Sequence, residues 1–191
     1  TVTVRFEAGR PVALDGKKVT AFEAISQANA IGGKYGVGIC SHLVENRFVG
    51  IKSRGVYEAP GMELLGTAYK YLLELVLDRR GKELFDSLSA LMAKQIYQGY
   101  GFDLATHMAR SAMAPLTKLM TGTIALTLYK GRATFASATD VPHQLYSESN
   151  ASMESIGEFN HGDSEGFLRV LQVSARALAA NGQVVPPSWV G

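Results

Sequence analysis

Val2, Val4 and Phe6 alternate with Thr3, Arg5 and Glu7, the period of a strand with one buried face. Gly9-Arg10-Pro11 turns the chain, Val12-Ala13-Leu14 returns, and Asp15-Gly16 is a tight-turn pair. The opening therefore reads as a short antiparallel meander. The period then lengthens. Thr20 stands three residues before Glu23 in a capping box, and Phe22, Ile25 and Ala28 continue at helical spacing. This helix should stop near Gly32-Gly33.

Further on, Pro60 suits a first helical turn, and Leu64, Leu65, Ala68, Leu72, Leu75 and Val76 mark an amphipathic helix to about Leu77. Asp78-Arg79-Arg80-Gly81 reads as a solvated break. The next helix, from Lys82 to Gln98, turns Leu84, Phe85, Leu88, Leu91, Met92 and Ile96 inward. Asp103 caps another to about Lys118, with Met108, Ala112 and Leu116 buried and Pro115 kinking or fraying its end. Ile124, Leu126 and Leu128 alternate into Lys130-Gly131 and Ala133 to Ala136, a hairpin. Residues 140–155 are polar and irregular. Asp163 is placed to cap a final helix ending at Asn181-Gly182. In it Phe167, Val170, Leu171, Val173 and Leu178 cover more than one stripe, so it is expected to bury a second surface in an oligomer.

These periods predict an α+β protein. An antiparallel sheet, drawn from the opening strands, the central segment and the 123–136 hairpin, packs against a layer of three consecutive helices. A C-terminal oligomerisation helix projects from it. The expected boundaries are 1–162 for the α+β domain, 163–182 for that helix and 183–191 for a tail. No internal repeat is present, and strand order does not follow from the pattern.

The chemistry concentrates in Val44 to Gly61, V-E-N-R-F-V-G-I-K-S-R-G-V-Y-E-A-P-G. Charges of both signs crowd there among β-branched residues, and a charge on a half-buried strand needs a partner. Other side chains or a small zwitterionic ligand would serve. Glu45 and Tyr57 share parity, but twelve extended residues at roughly 3.3 Å each hold them about 40 Å apart. If both touch one ligand, the chain folds back between them, at Gly50 or Gly55.

Gly32, Gly33, Gly36 and Gly38 follow a helix and precede a strand. A phosphate cradle needs the opposite polarity, so they read as a helix end and turn. Cys40 is the only cysteine, which excludes an internal disulfide and fits a reducing compartment. Neither it nor His42 has partners at zinc spacing, so no metal site is expected. The net charge of +2 over 191 residues is weak and interspersed, which gives no nucleic-acid footprint. No apolar run nears the roughly 20 residues that span a membrane. The first residues read as a strand, not a basic-then-apolar leader, and Thr1 in place of Met fits either a processed start or an excised piece.

Four ordered motifs, I-G-G-K-Y-G-V-G (31–38), V-E-N-R (44–47), K-S-R-G-V-Y-E-A-P-G (52–61) and F-N-H-x-D-x-x-G-F (159–167), closely resemble argininosuccinate synthase. The resemblance runs from about Val2 to Leu178. It covers the second, synthetase half of that family; the S-G-G-x-D-T-S-type loop that holds ATP in the first half does not occur here. The resemblance implies ligation of citrulline to aspartate with ATP, and its Mg, bound mainly by the other half, and AMP and pyrophosphate released. Family citrulline contacts fall on Glu45 and Tyr57, with Arg47, Lys52, Arg54 and Glu58 as structural partners; no catalytic residue is assigned. It also implies a cytoplasmic homo-oligomer, a tetramer, built through the C-terminal helix, and a chain inactive by itself. Cys40-Ser41-His42 stand where relatives carry an acid. The alternative is a non-catalytic, self-assembling interaction module of the same ancestry.

Overall fold

Strand β1 (Val2–Glu7) pairs on one side with β2 (Arg10–Leu14) and on the other with β6 (Gly122–Tyr129), a partner more than a hundred residues away. β3 (Lys17–Lys18) extends the sheet beyond β2, and β7 (Arg132–Thr139) extends it beyond β6. The result is an antiparallel five-stranded sheet in the order β3-β2-β1-β6-β7. This is a computed structural model; it describes residues 1–148 and 160–184, and for 40–45 and 161 the backbone alone. The chain divides into two units, 1–145 and 146–191.

Three of the sheet's turns have positive φ at both central residues, at Ala8-Gly9, Asp15-Gly16 and Lys130-Gly131. That is the turn type whose twist matches antiparallel strands. Val2, Val4, Phe6, Ile124, Leu126 and Leu128 are buried on the sheet. They join Ala24 and Ala28 of α1 (Ala21–Lys34) and Leu64, Leu65, Ala68, Leu72, Leu73 and Val76 of α2 (Pro60–Val76) in one apolar core. α1 begins at the expected capping box: Thr20 Oγ1 accepts from Glu23 N at 3.3 Å and Thr20 N donates to Glu23 Oε2 at 2.7 Å. α1 and α2 cross closely, with Gly61 N donating to Asn29 Oδ1 at 2.7 Å.

The α+β class is as predicted, but the layers differ from the sequence reading in two ways. The central segment does not join the main sheet; β4 (Ile39–Asn46) and β5 (Lys52–Glu58) form their own two-stranded ladder. The covering helices are α1 and α2, not three consecutive ones. α3 (Arg79–Tyr97) has no buried residue, and Leu84, Leu91 and Ile96 are exposed. In α4 (Leu104–Thr117) the buried residues are Thr106 and Ala109, while Met108 is exposed. α3 and α4 pack on each other, and only Phe85 and Leu116 reach the core. An amphipathic period identifies an apolar stripe without naming what covers it.

Local boundaries also shift. Asp78 is the N-cap of α3, accepting from Gly81 N at 2.9 Å, so Arg79 and Arg80 belong to its first turn. In the second unit, α5 (His161–Ala180) is capped by Asn160, not Asp163, which lies inside its first turn. The α5 residues Phe167, Leu168, Val170, Leu171 and Val173 are exposed. Among the described residues no helix is long and apolar enough to cross a membrane.

Candidate functional site

The fold-back expected between Glu45 and Tyr57 occurs at Gly50. Gly50 has φ +83°, and its N–H donates to Arg47 O at 2.9 Å while Arg47 N donates to Ile51 O at 2.9 Å. A left-handed residue at a hairpin tip is the reason glycine stands there. Gly55 is not a hinge; it is a ladder residue within β5, opposite His42.

The register of this hairpin fixes how near the two predicted contacts come. Glu45 pairs with Ser53, and Tyr57 pairs with Cys40. Ser53 and Tyr57 are four residues apart, so about 13 Å of strand separates the two register positions instead of 40 Å. Between His42 and Glu45 the register shifts. This bulge takes up one extra residue of β4, and it gives the backbone position of Glu45 the same ladder parity as Tyr57. Glu45's side chain lies outside the described residues, as do those of Cys40, Ser41 and His42. Phe159 of the fourth motif lies outside them entirely.

Backbone bonds gather three other segments around Tyr57. Ala59 N donates to Gly38 O at 2.9 Å, which ties the end of β5 to the loop after α1. Gly131 N donates to Tyr35 O at 2.8 Å, which ties the β6–β7 turn to the same loop. Pro60 then starts α2 directly beyond β5. Together they enclose a depression of about 480 Å³, walled by Gly38, Ile39, Tyr57, Ala59, Met62, Glu63 and Gly131. Its size is that of a small-molecule site.

Within it Tyr57 is 47% exposed, and its ring lies over Gly55. Among the described lining residues Glu63 is the one charged side chain. Sequence reasoning missed Glu63 because an acid in a first helical turn is ordinary. Only the short step from β5 to α2 carries it beside Tyr57. Of Arg47, Lys52, Arg54 and Glu58, Lys52 has a side-chain partner among the described residues, donating to Asn46 Oδ1 at 2.8 Å. No group of three His, Cys, Asp or Glu side chains among the described residues could hold a metal ion.

A tyrosine and a carboxylate line a hairpin-bounded depression of this small α+β domain, and the depression has the size of a small-molecule site. The sequence comparisons give the family. The argininosuccinate synthase C-terminal domain family matches residues 1–178, and the chain belongs to the argininosuccinate synthase family. It is 41% identical to the argininosuccinate synthase of Rhodopirellula baltica, over 97% of this chain and 45% of the relative. It is 39% identical to that of Lachnoclostridium phytofermentans, over 94% and 44% respectively. The chloroplastic argininosuccinate synthase of Arabidopsis thaliana is 37% identical over 93% of this chain and 36% of the relative. The chain thus spans less than half the length of these curated relatives. Its ancestry is that of a ligase.

Proposed function

We propose that this chain is the citrulline-binding and self-associating part of an ATP-dependent ligase that joins citrulline to aspartate, a step of arginine biosynthesis. The observation that carries the reading is the hairpin register, which brings Glu45 and Tyr57 from about 40 Å of extended chain to about 13 Å along one ladder. On this reading an extended amino acid lies along that ladder between the backbone positions of Glu45 and Tyr57. The carboxylate of Glu45 takes the α-ammonium group, and the Tyr57 hydroxyl donates to the ureido oxygen.

In the reaction the ureido oxygen is adenylated by ATP with loss of pyrophosphate. The aspartate amine then attacks the ureido carbon and AMP leaves. ATP and its Mg ion are held outside this chain, in a nucleotide-binding half. What this half contributes is positioning: it holds the ureido group still for both displacements, a contribution worth several orders of magnitude in such reactions. Chain alone, given ATP, citrulline and aspartate, makes no argininosuccinate.

The test is Glu45→Ala and Tyr57→Phe in a polypeptide that carries both halves. A fall in kcat/KM for citrulline of about a hundredfold or more for Glu45→Ala is expected, because a charged contact is lost. Unchanged kinetics in both variants would remove the citrulline assignment. The exposed apolar residues of α5 favour a second reading, a self-assembling module without catalysis. That reading predicts unaltered assembly and no role for Glu45.

A further inference from the structure

α3 and α4 run antiparallel and leave an apolar groove between them. Leu77 and Gly81, at the start of α3, line it together with Leu116 and Leu119, at the end of α4. The groove has a volume of about 260 Å³, and no charged side chain lines it. We propose that it is a docking site for an amphipathic helix of another protein, one that carries acidic residues beside its apolar stripe. The proposal stands apart from the citrulline reading and does not rest on it.

Spacing identifies the occupant as a helix. On α3, Gly81, Leu84, Leu88, Leu91 and Gln95 stand alternately three and four residues apart, and on α4 so do Ala105, Met108, Ala112, Pro115 and Leu119. That is the seam spacing of helices packed at a shallow angle, where side chains of one fill holes in the next. α3 and α4 do not close these seams against each other. The residues one place after them, Phe85 and Met92 on α3 and Ala109 and Leu116 on α4, are the buried or half-buried ones. Leu84, Leu91 and Met108 are exposed. Leu84 and Leu88 line the groove with Ala112 and Leu119, so both open seams edge the same groove. A third helix lying there would complete a three-helix packing.

Charge decides which helix fits. The positions that precede the seams are Arg80, Ser87 and Lys94 on α3 and Leu104, Ser111 and Lys118 on α4, bases with no acid among them. The acids of α3 are already paired within it: Glu83 accepts from Arg79 at 2.8 Å and Asp86 from Lys82 at 2.7 Å. Arg80 pairs with the cap Asp78 at 3.4 Å, whereas Lys94 and Lys118 have no ion-pair partner among the described residues. An apolar stripe flanked by acids is therefore attracted on both sides of the groove, and one flanked by bases is repelled. A second copy of this chain does not offer such a helix. α1 and α2 bury their apolar faces on the sheet, and α4 contains no Asp or Glu. α3 itself carries the basic flank. In α5 Glu165 is engaged by Arg169, and Arg176 adds a further base.

The experiment titrates the chain into fluorescently labelled synthetic helical peptides and reads anisotropy. The first peptide has leucines at the alternating three-and-four spacing with Glu on both flanks. The second has Lys on the flanks, and the third keeps Glu but moves the leucines off the stripe. Wild type should bind the first about tenfold or more tightly than either of the others at low salt, and its margin over the second should shrink as salt rises. Leu84→Asp, at an exposed position, should weaken the first peptide by a similar factor and leave the urea midpoint unaltered. Lys94→Glu combined with Lys118→Glu should reverse the preference between the first two peptides. Equal binding of those two, no binding of the first, or indifference to Leu84→Asp would overturn the proposal. A particle mass by light scattering that falls in Leu84→Asp would overturn it in favour of a second copy in the groove. Binding that is lost in a polypeptide carrying both halves would overturn it in favour of the other half as the cover.

Discussion

A side-chain carbon on Gly55 would lie 3.0 Å from Cε2 of Tyr57 and 3.2 Å from its hydroxyl oxygen. The aromatic ring therefore leans back along its own strand, over a residue that has no side chain to obstruct it. Gly55→Ala should push the half-exposed ring aside more readily than it disturbs the ladder. The expected result is a citrulline affinity reduced by about tenfold, the scale of one lost oriented hydrogen bond. The unfolding midpoint should stay near wild type. Titration calorimetry beside a urea melt checks both, and full affinity in Gly55→Ala would show that ring placement is immaterial.

Two glycines of α2 should respond in opposite directions. A Cβ on Gly61 would lie 2.6 Å from Ile25 O of α1, whereas one on Gly66 meets nothing within 4 Å. Gly61→Ala must separate two packed helices, and a loss of about 2 kcal/mol or more is expected. Gly66→Ala removes only the helix penalty of glycine and should gain about 0.5–1 kcal/mol. Parallel urea titrations of both variants measure the contrast.

Burial separates leucines that look alike in sequence. Leu72 is fully buried and Leu84 is 60% exposed. Leu72→Ala should cost about 2–5 kcal/mol through lost burial and the cavity it leaves. Leu84→Ala should cost below about 1 kcal/mol. Similar losses in the two variants would mean that α3 is covered by a partner in solution.

Acid stability should depend on Glu23. Hydrogen bonds from the Thr20 backbone N–H and then the Thr20 hydroxyl hold its pKa below the ordinary 4.5. A folded value below the unfolded one adds stability that is complete above the unfolded value. It is lost as pH falls through the folded value. Glu23→Gln should therefore show a shallower fall in urea midpoint between about pH 5 and pH 3, with little acid dependence left at this cap.

The proposed self-association can be tested on α5. Leu171 is 53% exposed within an apolar surface that also includes Phe167 and Val170. Burying a charge in a subunit contact is strongly unfavourable, so Leu171→Asp should lower the particle mass measured by light scattering. An unchanged mass would exclude this face from the assembly.

Sequence alone determined the local elements, because each depends on neighbours a few residues apart. The Thr20–Glu23 capping box, the Asp15-Gly16 and Lys130-Gly131 turns, and the core stripe of α2 were all legible from spacing. So was the need for a fold-back between Glu45 and Tyr57, since strand geometry alone forbids a shared ligand otherwise. The motifs around 44–61 and their resemblance to one family were equally a property of sequence. Only the tertiary structure decided which strands pair, because β1 meets β6 across more than a hundred residues and neither strand's period encodes its partner. It decided that α1 and α2 cover the sheet while α3 and α4 cover each other, since an apolar stripe does not specify its complement. It also placed Glu63 beside Tyr57. In sequence Glu63 is an ordinary helix-start acid, and it joins the depression because backbone bonds at Gly38 and Gly131 gather distant segments around the junction of β5 and α2.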